Sequence, residues 1–172
     1  MNTCEFSIGQ FVVYGTQGLC TVEDVKTISL SPTLPAQEYY ILRQLSRNSI
    51  IYVPIYSESG KSKIRNVITR ERIEEILSEL HGRNMDWNYN RKERINSFRE
   101  ILSGGINCEM ILMIRCIYLQ KKKFYEAKKK LSASDDEMLR TAERIVNEEF
   151  AYVLGIREDE VGDYIRSKIE EQ

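Results

Sequence analysis

The spacing of hydrophobic residues along the chain changes near residue 69, and this change constrains the fold more than any other feature. Before it, short β-branched and aromatic runs are separated by turn residues, which is typical of antiparallel strands. After it, apolar residues recur every three or four positions, which is typical of amphipathic helices. The sequence therefore predicts an α+β protein with two domains, the first rich in strands and the second all-helical.

Runs of strand-forming residues fall at positions 11–14, 19–28, 39–42 and 50–53. Pro32 and Pro35 exclude a central strand from the segment between the second and third runs, because proline cannot donate a ladder hydrogen bond. Residues 47–49 are a plausible hairpin turn between the third and fourth runs. Four or five short strands with tight turns in about 65 residues predict a small antiparallel barrel.

The helical half begins with Thr69 as a predicted N-cap, and Gly82 follows the end of that helix. A second helix is predicted over residues 87–103, where the glycines at 104 and 105 stop it. These boundaries predict a barrel domain over residues 1–68, a connecting helix over 69–82 and a helical domain over 83–172.

Three further helices are predicted inside the second domain. Asn107 is a suitable cap for one, whose inward face would carry Met110, Ile111, Ile114, Ile117 and Tyr118. Residues 134–137 form a capping box before a long helix that Gly155 ends. A last short helix is predicted to begin near Asp159.

The charge of the chain is unevenly distributed. The net charge is −1, which alone argues against a nucleic-acid partner. Residues 83–131, however, carry 12 Lys and Arg against 5 Asp and Glu, and residues 132–172 carry 5 against 12. A basic segment between a near-neutral and an acidic one is the first indication of an anionic partner.

The basic side chains of this segment group on two predicted helices. Arg91, Lys92 and Arg94 lie on the first of them, and lysine triplets occupy 121–123 and 128–130, two helical turns apart. Such clusters are either a solvated helix face or a surface for phosphate contacts. Trp87, the single tryptophan, is flanked by polar residues, and the local sequence leaves a core position and a base-stacking position equally open.

Nothing in the sequence has the pattern of a catalytic or metal site. His81 is the only histidine and the four cysteines form no C-x-x-C pair, so we expect no bound metal and no cofactor. Gly60-Lys61-Ser62 is similar to the end of a P-loop, but Ile55 replaces the required glycine. We therefore expect no enzyme activity. No long apolar run and no signal peptide occur, so we expect a cytoplasmic protein with no membrane contact.

Several short motifs, taken in order, resemble the CarD/CdnL family of bacterial RNA polymerase-binding transcription regulators, whose N-terminal module also occurs in transcription-repair coupling factors. The resemblance covers nearly the whole chain. It rests on Phe6, Ile8, Gly9, Val12, Val13, Tyr14 and Gly18, on Tyr52-Val53-Pro54, on Asp86-Trp87-Asn88, and on Leu131, Ser132, Glu137, Met138, Leu139, Ala142, Ile145 and Glu149.

The resemblance implies a Tudor-like barrel that docks on a lobe of the polymerase β subunit, followed by a helical domain that reaches the upstream edge of the melted promoter. Trp87 would wedge into the minor groove there and prolong the open complex without sequence-specific readout. Phosphate contacts would come from Arg91, Lys92 and Arg94, with Lys121 and Lys122 added from the lysine triplets. Ile28, Tyr52 and Pro54 would face the polymerase. Nothing demands a dimer, so we expect a monomer.

This chain differs from the family pattern at several positions. Tyr89 and Asn90 follow the tryptophan where arginines are common, and Ile28 and Tyr52 stand where arginine can contact the polymerase. These differences leave open a protein-interaction adaptor that binds the polymerase and never touches DNA. An RNA-binding barrel is a further alternative, against which the near-neutral first domain argues.

Overall fold

A computed structural model describes residues 5–57 and 63–170. By its internal contacts the chain divides into two compact units, Met1–Val67 and Ile68–Gln172. The first unit contains the strands and the second the helices, so the chain is α+β. The Gly60-Lys61-Ser62 motif and Cys4 lie outside the described residues, whereas Cys20, Cys108 and Cys116 are buried free thiols.

Five antiparallel strands form the sheet of the first unit. They are β1 (Phe11–Tyr14), β2 (Leu19–Ile28), β3 (Gln37–Gln44), β4 (Ile50–Pro54) and β5 (Ile64–Asn66). Their order in the sheet is β4-β3-β2-β1-β5, so the sheet is open, with β4 and β5 at its two edges. Closure into a barrel would require these two edges to pair, and the described residues show no such pairing.

One face of the sheet forms the core of this unit. The register between β2 and β3 shifts between Val22 and Asp24, where one extra residue enters β2. Beside the core strands, Phe6 packs edge-on against Tyr40, with ring centroids 5.8 Å apart. The buried core residues are Phe6, Val12, Cys20, Val22, Tyr40, Leu42, Val53, Ile55 and Ile64.

Five α-helices form the described part of the second unit. They are α1 (Arg70–Glu79), α2 (Arg91–Ser103), α3 (Cys108–Glu126), α4 (Ala133–Leu154) and α5 (Val161–Glu170). Thr69 caps α1 and Asn107 caps α3 through side-chain oxygens, as predicted. Gly155, at φ 69°, ends α4 in the left-handed conformation that glycine adopts without strain. No helix in the described part of the chain is long and apolar enough to cross a membrane.

Four details of the helix prediction were wrong. The lysine triplet at 128–130 lies beyond the end of α3 at Glu126, with Lys128 at φ 56°, so it shares no helix face with the triplet at 121–123. The helix α2 begins at Arg91 and not at position 87, because Asn90 provides its cap and accepts hydrogen bonds from the backbone of Lys92 and Glu93. The cap of α4 is Ser132, whose hydroxyl accepts from the backbone of Asp135. Tyr118 is 58% exposed and does not face inward, since the buried face of α3 lies along Met110, Met113 and Ile117 instead.

Buried polar contacts tie the ends of these helices together. Glu149 of α4 is 1% exposed, and its carboxylate accepts a 2.9 Å hydrogen bond from the backbone of Ile68, just before α1. The Tyr164 hydroxyl of α5 donates to Glu74 of α1 over 2.6 Å. Burial and this carboxylate raise the pKa of Tyr164 to about 12. The helix α1 is thereby held within the second unit.

Candidate interaction surfaces

Trp87 lies half-buried at one edge of the helical core, in the segment 83–90, which has no regular secondary structure. The ring of Phe98 lies at a centroid distance of 6.3 Å, and that of Phe124 lies edge-on at 6.2 Å. The guanidinium carbon of Arg94 lies over the indole, 4.2 Å from the ring centroid. Trp87 therefore combines packing of its ring against the helical core with partial exposure of the residue, between the two positions that the sequence leaves open.

Arg94 occupies an interior position, whereas its place in the sequence beside Arg91 and Lys92 predicts a basic surface. Its residue exposure is 6%. Nε and Nη2 donate to the two carboxylate oxygens of Asp135 over 3.0 and 2.9 Å, a bidentate pair. Nη1 donates to the carbonyl oxygen of Asn88 over 2.6 Å. Every contact that holds Arg94 is therefore internal to the helical unit.

Asp135 completes this arrangement from the first turn of α4. Its carboxylate also accepts from the Ser132 hydroxyl over 2.6 Å, so three donors surround a side chain that is 1% exposed. Burial raises the pKa of Asp135, but the hydrogen bonds from Arg94 and Ser132 more than offset that effect and leave the pKa below its ordinary value. The carboxylate is therefore ionised at neutral pH.

The other basic residues beside the tryptophan are exposed. Arg91 and Lys92 begin α2, and Tyr89, just before them, is 80% exposed. Arg91 makes a 3.4 Å hydrogen bond to the hydroxyl of Ser134 at the start of α4. Within residues 5–57 and 63–170, no carboxylate forms an ion pair with Arg91 or Lys92. Their charges are thus available to an anion from solvent.

Two of the three lysines of α3, Lys121 and Lys122, were expected to contact DNA, and they differ in pairing. Lys121 forms a 2.7 Å ion pair with Asp136, which Arg140 also contacts at 2.6 Å. Lys122 is exposed and has no ion-pair partner in the described part of the chain. Lys121 lies on the helix that carries Phe124, whose ring contacts Trp87. The last turns of α3 therefore carry both exposed lysines and the aromatic ring that contacts Trp87.

In the first unit, the three residues expected to face the polymerase lie on one face of the sheet. Tyr52 lies opposite Ile41 and Pro54 lies opposite Tyr39 across the β3–β4 pair. Ile28 lies opposite Gln37, two residues before Tyr39 on the same strand. Since alternate strand residues share a face, all three project from the side opposite the core. We call Ile28, Tyr39, Ile41, Ile50, Tyr52 and Pro54 the apolar sheet face.

Parts of this face are open to solvent. Tyr52 is 48% and Ile50 is 38% exposed, whereas Tyr39 and Ile41 are covered by their neighbours. In the loop that follows β2, Leu30 and Leu34 are 59% and 57% exposed. The face ends at the edge strand β4, whose outer side has no partner among the described strands. Asp24, Lys26 and Arg43 project from the same side of the sheet, so its exposed apolar side chains are bordered by charged ones. Exposed apolar residues with a polar rim are typical of a protein-binding site.

Some residues around Trp87 and on the apolar sheet face are not apparent from the sequence. Asp135 is 41 residues from Arg94, and no local pattern joins two helices across that distance. Phe98 and Phe124 have helical spacing, which indicates a buried position but not contact with Trp87. Ile50 of the apolar sheet face could have been found from strand alternation, because it lies two residues before Tyr52.

No metal-binding arrangement occurs in the described ranges, 5–57 and 63–170, where no group of three His, Cys, Asp or Glu side chains lies close enough to hold an ion. An open cavity of about 450 Å³ lies between the end of α2 and the start of α3, lined by Met85, Ile101 and Asn107 among others. Glu100 and Glu109 also line it, so its charge does not suit an anionic ligand. The two surfaces described above are better candidates for function.

Comparison with known protein families agrees with both units. Residues 6–68 match the CarD-like/TRCF RID domain, and residues 75–166 match the CarD C-terminal domain. A search of curated proteins found no match. The second match alone covers more than half of the chain. With the two domains in their expected order, the chain belongs to the CarD/CdnL family, and its domains indicate an RNA polymerase-interacting transcription regulator.

Proposed function

We propose that this regulator binds the polymerase β subunit through the apolar sheet face and contacts promoter DNA at the upstream edge of the bubble, where it stabilises the open complex without reading sequence. Trp87 is the wedge and enters the minor groove. Arg91, Lys92 and Lys122 hold phosphates, with Lys121 available when Asp136 releases it. The first domain acts as the Tudor-like polymerase module, and the protein works as a cytoplasmic monomer.

The observation that carries this proposal is the setting of Trp87. A half-buried tryptophan held by an arginine and two aromatic rings, near cations that have no ion-pair partner among the described residues, suits insertion between base steps next to a phosphate backbone. Insertion costs unstacking energy in intact duplex and less at a junction that is already open. The protein then binds open promoter DNA more tightly than closed DNA, and this difference shifts the equilibrium.

The affinity for DNA can be low because the polymerase holds the regulator beside the DNA. Tethering converts DNA contact into an intramolecular step at high effective concentration, so weak contacts suffice. A preference of about 1.4 kcal/mol for the open state changes the equilibrium about tenfold. One wedge and a few phosphate contacts can provide this amount.

Trp87→Ala tests the DNA half of the proposal. With the cognate polymerase, we expect the variant to lose the increase in open-complex lifetime, about tenfold if the preference is about 1.4 kcal/mol, and to bind the polymerase as well as wild type. Tyr89→Ala is the matched control, because it removes an exposed aromatic two residues away that lacks the packed setting of Trp87. If Trp87→Ala retains the full lifetime, Trp87 is not the wedge.

Tyr52→Glu tests the polymerase half. A carboxylate on the edge strand of the apolar sheet face would be desolvated on docking, and we expect it to weaken binding to the isolated β-subunit lobe by about tenfold or more. The unit should stay folded because Tyr52 is largely exposed. Ile8→Glu places the same charge on an exposed residue outside this face and is expected to leave binding unchanged. Equal losses in both variants would place the docking surface elsewhere. Calorimetry or biolayer interferometry measures both.

A second candidate function is that of an adaptor that binds the polymerase and recruits another protein without contacting DNA. Its support is the start of α4, where Asp135 and Asp136 engage Arg94 and Lys121, two of the six residues expected to contact DNA. The two functions differ in salt dependence. Phosphate contacts make affinity for polymerase–promoter complexes fall with rising salt, whereas an adaptor binds free polymerase and promoter complexes equally.

A further inference from the structure

Arg94 holds both the ring of Trp87 and the backbone that follows it. Its guanidinium lies 4.2 Å from the indole centroid, and Nη1 binds the carbonyl of Asn88 at 2.6 Å. Because the segment 83–90 has no regular secondary structure, neither a helix nor a sheet fixes the direction of Trp87. Arg94 is anchored in the interior and can supply that constraint.

The position of Arg94 depends in turn on Asp135. The bidentate pair restricts the guanidinium to one plane, since both Nε and Nη2 are engaged. Asp135 is itself held by the cap of α4 through the Ser132 hydroxyl and backbone. A chain of direct contacts therefore runs from the first turn of α4 through Asp135 and Arg94 to Trp87.

Stability alone does not account for a buried ion pair at this place, because well-packed apolar side chains of similar size commonly stabilise a core at least as well. An apolar replacement, however, could not donate to the Asn88 carbonyl or present a cation to the indole. The ion pair thus provides a hydrogen bond to Asn88 and a cation over the indole, which apolar side chains cannot provide.

We propose that Arg94 and Asp135 are positioning residues that fix the orientation of Trp87 for insertion at the edge of the promoter bubble, and that Arg94 is not itself a phosphate ligand. This inference rests on the proposed function for its consequence at the promoter. The orientation itself is a property of the free protein. Preorganisation of this kind lowers the entropic cost of binding, because the indole is ordered before it meets DNA.

The single tryptophan makes the orientation directly measurable, because emission excited beyond the absorption of tyrosine comes from Trp87 alone. Three variants separate the contributions: Arg94→Lys keeps the charge but loses the bidentate geometry, Arg94→Met loses both, and the double variant Arg94→Met with Asp135→Asn leaves no unpaired buried charge. We expect red-shifted emission, lower anisotropy and stronger acrylamide quenching in all three, least in Arg94→Lys. Arg99→Met, an exposed arginine on the same helix, should leave the emission unchanged.

The double variant keeps the test valid if Arg94→Met alone unfolds the unit, because removing both charges avoids the cost of a lone buried one. Unchanged emission and quenching in a folded double variant would overturn the inference. An Arg94 variant that emits like wild type while other parts of the fold loosen would assign the pair a purely structural role, which also overturns it.

Open-complex lifetime then separates a positioning residue from a DNA ligand. In a double-mutant cycle, a positioning residue acts only through Trp87, so Arg94→Met should remove most of the factor that Trp87→Ala removes and nothing more in the Trp87→Ala background. A direct phosphate ligand would instead give a further loss in that background. If Trp87→Ala leaves the lifetime unchanged, the proposed wedge fails, and the emission data still decide whether Arg94 and Asp135 orient Trp87.

Discussion

Asp135→Ala is expected to lower the free energy of unfolding of the helical unit by about 3–5 kcal/mol, because it leaves the Arg94 guanidinium buried without its counter-charge. The same change removes the carboxylate that the Ser132 hydroxyl binds in the first turn of α4. The lost ion pair and the lost hydrogen bond are both contacts of the folded state alone. Chemical denaturation followed by far-ultraviolet circular dichroism, which reports mainly on the helices, measures the effect.

The adjacent carboxylate provides a matched control. Asp136 also binds two cations, Lys121 and Arg140, but their side chains are 51% and 78% exposed. Exposed ion pairs contribute about 0–1 kcal/mol, so Asp136→Ala should be nearly neutral. Equal losses at both positions would mean that the loss at Asp135 does not come from burying an unpaired charge.

The pH dependence of stability should also reflect the buried ion pair of Asp135 with Arg94. The folded-state pKa of Asp135 lies below its ordinary value of 3.8, despite a burial effect that alone would raise it. A lowered pKa means that the stabilisation is fully present above this ordinary value and is lost as the pH falls through the folded-state pKa. Wild type should therefore lose stability below about pH 4, and Asp135→Asn should lose part of that dependence.

Phe150→Ala is expected to destabilise the helical unit by about 3–5 kcal/mol. Phe150 of α4 is fully buried in the core that Ile73, Met110 and Val161 share, so its removal leaves a cavity that the surrounding helices cannot fill. Thermal or denaturant unfolding measures the loss. Tyr125→Ala, which removes an aromatic ring that is 83% exposed, should change stability by no more than about 0.5 kcal/mol.

Phe150→Ala also tests whether the two units act separately. Their buried cores share no residue, so Phe150→Ala should leave docking on the β-subunit lobe intact even where the helices are partly unfolded. In the same sample, the effect on open-complex lifetime should disappear. Loss of polymerase binding in this variant would show that the first unit depends on the second for its fold.

Several features of this protein were determined by its sequence alone. The change of hydrophobic spacing near residue 69 predicted the two kinds of unit, because alternation with a period of two and recurrence every three or four residues bury different faces. Local capping rules predicted Thr69, Asn107 and Gly155 at helix ends, since these depend only on neighbouring residues. Short motifs in order were enough to identify the CarD/CdnL family, which the two domain matches confirm.

The tertiary structure decided what depends on residues far apart in the chain. Whether five strands close depends on the pairing of β4 with β5, and strand patterns do not record that pairing. Tyr118 lies at helical spacing from the apolar residues around it in the sequence, and this pattern predicts a buried side chain. Only the packing of α3 against its neighbours shows that the side chain is exposed. Arg94 resembles its basic neighbours Arg91 and Lys92 in sequence, and only Asp135, brought close by the fold of α4, makes it an interior residue. Charge and periodicity are local properties, whereas burial and pairing are properties of the folded chain.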